Sequence, residues 1–154
     1  MSLTRANTEF LLVARTSAWL SKASMAITTA GSNADLNDPI AYGVLQVGGT
    51  VASRVVVADA DIATVASADE EEFLDIAELR TYQNIQGNLT LVDTEIGPRD
   101  EKLGQLQSVL EKLIAAKEKR LKELYNFGLP TLEVGVIELD FAEHDEDNVD
   151  ELGW

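Results

Sequence analysis

Residues 69–81 read DEEEFLDIAELRT, and this stretch decides the fold class because it carries the full pattern of an amphipathic helix. Asp69 is a suitable N-cap, and the glutamates at 70–72 fill the first turn, where the helix dipole favours anions. Apolar residues then recur on one helix face: Phe73, Leu74, Ala77 and Ile85. We predict a helix that starts after Asp69 and stops at Gly87-Asn88.

Three further helices are expected around this one. The first runs from about Thr4, its cap, to Ile27, with an apolar face formed by Phe10, Leu11, Ala14, Ala18 and Met25. A short helix starts at Asp38-Pro39 and ends at Gly48-Gly49. The longest runs from Pro98 to Phe127 and ends at Gly128, with an apolar stripe that Lys117 interrupts: Leu103, Leu106, Leu110, Ile114, Leu121 and Leu124.

Extended segments separate the middle helices. Thr50–Ala58 contains four valines and favours an extended chain, although its alanines also permit a helix. Asp59 or Asp61 can cap a single helical turn that follows it. Leu89–Gly97 is again expected to be extended, as a connection into the longest helix.

The last 26 residues, 129–154, have a different composition. They contain nine acidic residues and no Lys or Arg, and so carry −9 of the net charge of −15. Apolar side chains alternate with acids in residues 131–141: Leu132, Val134 and Val136 on one side, then Ile137, Leu139 and Phe141 on the other. A single strand of this kind needs a partner to satisfy its backbone hydrogen bonds, so we expect an assembly arm that joins a neighbouring chain.

These patterns predict a mainly α protein: a helical bundle with short extended segments and an extended, acidic C-terminal arm. The helical domain comprises residues 1–128 and the arm residues 129–154. The predicted core includes Phe10, Leu11, Phe73, Leu74, Leu106, Leu110 and Ile114.

Composition and motifs argue against several function classes. A surface this acidic repels phosphate, so specific DNA binding is not expected, and no apolar window approaches the roughly 18 residues that a membrane span requires. The chain has no cysteine, and its single histidine, His144, lies among acids in the arm. Glycines match no phosphate-binding loop, and the acids match no EF-hand. We therefore expect no enzymatic activity, no metal site and no cofactor.

A resemblance to a known family rests on three segments: 69–81, Val92-Asp93, and 97–103, which reads GPRDEKL. An acid-capped helix, a short extended loop and a long amphipathic helix entered through a Gly-Pro-Arg turn resemble the head–tail connector (adaptor, or neck) proteins of tailed bacteriophages. The resemblance covers roughly residues 60–127.

The resemblance implies a structural virion protein that forms a homo-oligomeric ring, usually twelve-fold, under the portal protein. It implies that the ring extends the DNA channel, lets DNA pass without specific binding, and joins the next neck or tail-terminator protein. The expected location is the virion neck, after assembly in the host bacterial cytoplasm. The six apolar arm residues are then candidate contacts with the portal or with a neighbouring subunit. The candidate channel-lining acids lie in connecting loops: Asp59, Asp61, Asp93 and Glu95.

A second reading is a cytosolic helical adaptor or regulatory module whose acidic tail engages a basic partner. The basic residues near the end of the longest helix also allow two interpretations. Lys117, Lys119, Arg120 and Lys122 can form a solvated face that suits the helix dipole, or they can dock against an acidic neighbouring subunit.

Overall fold

The computed structural model describes residues 3–96 and 100–128, with side chains for residues 3–89 and 104–128. Within them are five α-helices, one short 3₁₀ helix at Ala34–Leu36, and no strand. The α-helices are α1 (Arg5–Lys22), α2 (Asn37–Gln46), α3 (Asp59–Ile62), α4 (Glu70–Ile96) and α5 (Asp100–Tyr125). The prediction of a mainly helical protein is confirmed. None of these helices combines the length and apolarity needed to cross a bilayer.

Helix α4 is the centre of the bundle, since α1, α2 and α5 all pack against it. Its first turns bury Phe73, Leu74 and Ala77 against α2, α3 and Leu12 of α1. Further along, Ile76, Leu79, Tyr82, Ile85 and Leu89 join the end of α1 and the apolar face of α5. One helix therefore serves both hydrophobic clusters, because apolar residues occupy more than one of its faces.

The predicted stop at Gly87-Asn88 is wrong, because α4 continues to Ile96. Ile85 and Leu89 lie one turn apart on either side of the glycine, and both are buried against α5 and its neighbours. A glycine inside a helix costs only about 1 kcal/mol. Burial of the flanking apolar side chains outweighs that cost, so residues 89–96 are helical rather than extended.

Helix α1 differs most from its prediction. It ends at Lys22 rather than Ile27, and Ser24 follows with a φ of 55°. Phe10, which we placed in the core, is 62% exposed. The buried face of α1 is instead largely polar, and it is formed by Arg5, Thr8, Glu9, Leu12, Thr16 and Leu20.

The other helices agree with their predictions to within a few residues. Helix α2 is followed by Gly48, which has a φ of +83°, and α5 is followed by Gly128, with a φ of +72°. The predicted core residues Phe73, Leu74, Leu110 and Ile114 are buried, whereas Leu11 and Leu106 are half-buried. The predicted arm, residues 129–154, lies outside the described residues.

A close approach fixes α2 against α4. A Cβ atom on Gly43 would lie 2.9 Å from Cδ2 of Phe73 and 3.0 Å from the Phe73 carbonyl oxygen. Since those distances are too short for carbon contacts, only glycine lets the two helices pack this tightly. The ring of Phe73 fills the space that a side chain at position 43 would take.

Candidate functional site

A cleft of about 380 Å³ is lined by charged side chains from α1, α4 and α5. Its centre is Glu78, whose side chain is only 5% exposed. Lys117 Nζ lies 2.7 Å from Glu78 Oε1, and Arg15 Nη1 donates to Glu78 Oε2 at 3.2 Å. The same Arg15 nitrogen also donates to Asp75 Oδ1 at 3.2 Å. The cleft thus joins three helices through one buried carboxylate.

The partners of Glu78 come from other helices. Glu78 and Arg80 both lie on α4, but the cations that pair with Glu78 come from the two neighbouring helices. Arg80 pairs instead with Asp38 of α2, with 2.8 Å between Nε and Oδ2. Lys117, which interrupts the apolar stripe of α5, is the partner that the buried Glu78 requires.

Two tyrosines border this cluster, and both hold their protons more tightly than usual. Burial raises the pKa of Tyr82 to about 12, and the Glu78 carboxylate contributes to the increase. Burial and the nearby Asp75 likewise raise the pKa of Tyr125. Both phenols are therefore hydrogen-bond donors near neutral pH: Tyr82 donates to the Arg15 carbonyl oxygen at 3.3 Å. The cleft holds compensated charges and protonated phenols, an arrangement suited to joining helices.

A second cleft, of about 350 Å³, lies at the start of α1 beside a buried ion pair. Glu9 is fully buried and accepts from Arg5 Nε at 2.8 Å, from Gly31 N at 2.6 Å and from Asn33 N at 2.8 Å. Arg5 Nη2 donates to the Asn33 carbonyl oxygen at 2.8 Å. The pair therefore closes the 28–33 linker onto α1. Gly31 has a φ of +87°, which glycine adopts without strain.

Two of the predicted channel acids have defined positions near this cleft. Asp61 is 7% exposed, and its carboxylate accepts from the backbone N–H groups of Ala52 and Ala58, at 2.9 and 2.8 Å. Asp59 is exposed and accepts the backbone N–H of Arg5, at the start of α1. Asp61 is thus occupied in organising its own loop, and Asp59 remains the solvent-facing acid of the two.

The other two candidate acids, Asp93 and Glu95, lie on α4 and not in a loop. Their side chains fall outside the described set, so a channel-lining role remains a prediction for them, as it does for Asp59. The six apolar arm residues also lie outside the described part of the chain. Among the side chains that the structure describes, at residues 3–89 and 104–128, no group of three or more acidic or histidine residues is arranged to hold a metal ion.

The segment before α3, which the sequence predicted to be extended, is a loop and not a helix. Asn37 Nδ2 donates to the Val55 carbonyl oxygen, and Thr64 Oγ1 accepts the N–H of Thr50 at 2.9 Å. With Asp61 holding Ala52 and Ala58, side chains take the place of a partner strand. Val57 is buried at 4% exposure, whereas Val55 and Val56 are 76% and 66% exposed. Two adjacent apolar side chains therefore project from an anchored loop, which we call the valine loop (residues 50–58).

Comparison with protein-family models, with curated proteins and with solved structures identified no similar protein. The features available for a functional assignment are therefore the valine loop, the two ion-paired clusters and the exposed surface of the helices. The sequence alone did not reveal that the valine loop projects. Its projection depends on the anchors Asn37, Asp61 and Thr64, and nothing in the sequence pattern shows that these residues hold the loop.

Proposed function

We propose that this protein is a head–tail connector subunit of a tailed bacteriophage, which forms a ring under the portal protein and joins the capsid to the tail. The observation that carries the proposal is the valine loop, an apolar projection held in place by polar anchors on the helical domain. The sequence resemblance over residues 60–127 supports the same reading through its acid-capped helix and its long amphipathic helix, although its loop segment Val92-Asp93 is helical.

The valine loop has the properties of an assembly contact. Full burial of a valine side chain contributes about 1.5–3 kcal/mol of favourable free energy. Val55 and Val56 do not gain this free energy in the isolated chain, because their side chains are exposed. Their backbone is already ordered by Asn37 and Asp61, so that docking costs less conformational entropy than it would for a free loop. Such a loop is suited to insertion between neighbouring subunits or into the portal.

The charge of the chain is compatible with a DNA channel. The net charge is −15, and a ring multiplies it by the number of subunits. A wall of this sign has no counterion-release contribution to DNA affinity, so that duplex DNA can move past it without binding. Tight, salt-sensitive binding of duplex DNA to the purified protein would contradict this part of the proposal.

The assembly test uses charge substitutions in the loop. Val55→Asp and Val56→Asp should each abolish ring formation on the portal protein of the same phage genome, measured by electron microscopy and sedimentation. Ile27→Asp is the matched control, since Ile27 is 52% exposed and lies outside the loop; it should assemble normally. Circular dichroism checks that each variant is folded. Wild-type protein that forms no ring with the portal, or loop variants that assemble like the control, would overturn the proposal.

A further inference from the structure

Helix α5 carries an apolar strip that the rest of the described chain leaves uncovered. Val109 is 53% exposed and Leu124 is 56% exposed. Leu113, half-buried, and Ala116, exposed, lie between them. The steps from 109 to 113, 116, 120 and 124 are three or four residues, so these positions follow one another along a single side of the helix. Arg120 is the one polar residue on this α5 strip.

Cations border the α5 strip. Lys112 lies within one turn of both Val109 and Ala116, and Lys119 lies one turn beyond Ala116. Both lysines and Arg120 are exposed. Lys119 Nζ lies 3.8 Å from Glu123 Oε1, and both of these side chains are mostly in solvent. This surface therefore fits a segment that combines apolar residues with negative charge.

We propose that the chain's own residues 132–141 occupy the α5 strip. This segment has six apolar residues interleaved with Glu133, Glu138 and Asp140, and residues 129–154 contain nine acids and no Lys or Arg. Its composition complements an apolar strip bordered by lysines. Within the described residues no strand offers an edge for the segment to join, so a helix face is the surface that the fold presents to it.

The length of the proposed segment agrees with the length of the α5 strip. Helix α5 ends at Tyr125, and Asn126 and Gly128 both have positive φ, so the chain changes direction one turn after Leu124. The fifteen-residue step from Leu124 back to Val109 spans about 22 Å of helix, and seven extended residues span about 23 Å. Leu132 and Leu139 are separated by that number of residues. A segment doubling back along α5 therefore matches the strip in length.

Connectivity favours the chain's own segment over that of a second copy. A short tether produces effective concentrations in the millimolar range, well above the micromolar concentration of free subunits. The proposal differs from strand addition to a neighbouring chain, which the alternating pattern predicted, and it concerns the unassembled subunit. It can therefore be tested without the portal and independently of ring formation.

The test uses disulfide formation in the full-length chain, which has no native cysteine. Val109→Cys combined with Leu139→Cys places one thiol on the strip and one on the segment, at the end of the proposed contact where Val109 and Leu139 would meet. Val55→Cys combined with Leu139→Cys is the control, because Val55 is exposed and lies off the strip. Under mild oxidation, mass spectrometry should find the first pair forming an intramolecular disulfide several-fold faster than the second, at a rate unchanged by dilution. Disulfide-linked dimers that decline on dilution would make a second copy the occupant, and equal rates for both pairs would exclude docking; either result overturns the proposal.

Charge reversal tests the electrostatic part in the same cysteine-pair protein. Lys112→Glu together with Lys119→Glu should slow formation of the disulfide several-fold, and added salt should reduce the difference. Lys22→Glu is the control, since this exposed lysine lies at the end of α1. An equal effect of both reversals would show that only net charge matters and would contradict recognition by α5.

Discussion

Among the residues whose side chains the structure describes, two glutamates are buried and have cationic partners, and their surroundings differ. Glu9 is fully buried, its partner Arg5 is 3% exposed, and two backbone N–H groups of the linker complete its hydrogen bonds. Glu78 is nearly as buried, but its partners Arg15 and Lys117 have side chains that are 33% and 20% exposed, at the rim of an open cleft.

This difference indicates separate structural roles. The Arg5–Glu9 pair is local, one turn of α1 apart, and it holds the linker closed with both side chains almost fully buried. The Glu78 cluster joins three helices, and its cations can turn towards solvent if the carboxylate is lost. Because desolvation makes an unpaired charge costly, the more enclosed pair should be the more sensitive to removal of its acid.

The largest effect is expected for Glu9→Ala, which leaves the buried Arg5 guanidinium without its counter-charge. We expect the free energy of unfolding to fall by about 3–5 kcal/mol, measured by denaturant titration. Glu71→Ala is the control, because Glu71 is 77% exposed and lies 3.9 Å from Arg15; it should change stability by less than about 0.5 kcal/mol. Similar losses in the two variants would show that enclosure does not distinguish the Glu9 site.

An intermediate effect is expected for Glu78→Gln. The amide keeps the shape of the side chain but removes the charge that Lys117 and Arg15 share, while Arg15 retains Asp75. The free energy of unfolding should fall by about 1–3 kcal/mol. A double-mutant cycle with Lys117→Met measures the coupling of the pair directly. A loss exceeding that of Glu9→Ala would reverse the comparison between the two acids.

The smallest effect, a loss of stability that is measurable only above about pH 10, concerns Tyr82 beside Glu78. Its pKa is raised from the ordinary 10 to about 12, so the folded state binds the phenolic proton more tightly than the unfolded state. The resulting stabilisation is complete below pH 10 and is lost as the pH rises from 10 to 12. Denaturant midpoints in this range should fall more steeply for the wild type than for Tyr82→Phe. Parallel curves would mean that Tyr82 ionises as a solvent-exposed phenol.

Local rules predicted much of the helical framework. Asp69 with the glutamates after it marked the start of α4, and glycines marked the ends of α2 and α5, because caps and left-handed residues act over a few positions. Burial of Phe73 and Leu110 followed from apolar periodicity. The same rule failed for α1, where Phe10 is exposed and Glu9 is buried. Glu9 can be buried because Arg5 supplies a counter-charge and the linker supplies backbone N–H donors, so the polar face of α1 packs inward.

Local rules predicted less about the candidate sites. Glu78 and Lys117 are 39 positions apart in the sequence, and the valine loop depends on anchors at Asn37 and Thr64. No local pattern connects these residues. They meet only because α1, α2 and α5 pack around α4, and that packing depends on close approaches such as Gly43 against Phe73.

The sequence by itself determined the helical class, most of the helix ends, the strongly acidic character and the contrast between residues 1–128 and the acidic segment that follows. These properties depend on composition and on interactions within a few residues. Tertiary structure alone decided the continuation of α4 past Gly87, the inward polar face of α1, the partners of Glu78 and the exposed strip on α5. Each of these depends on which side chains from distant parts of the chain exclude water together, and burial of that kind outweighs local propensities of about 1 kcal/mol.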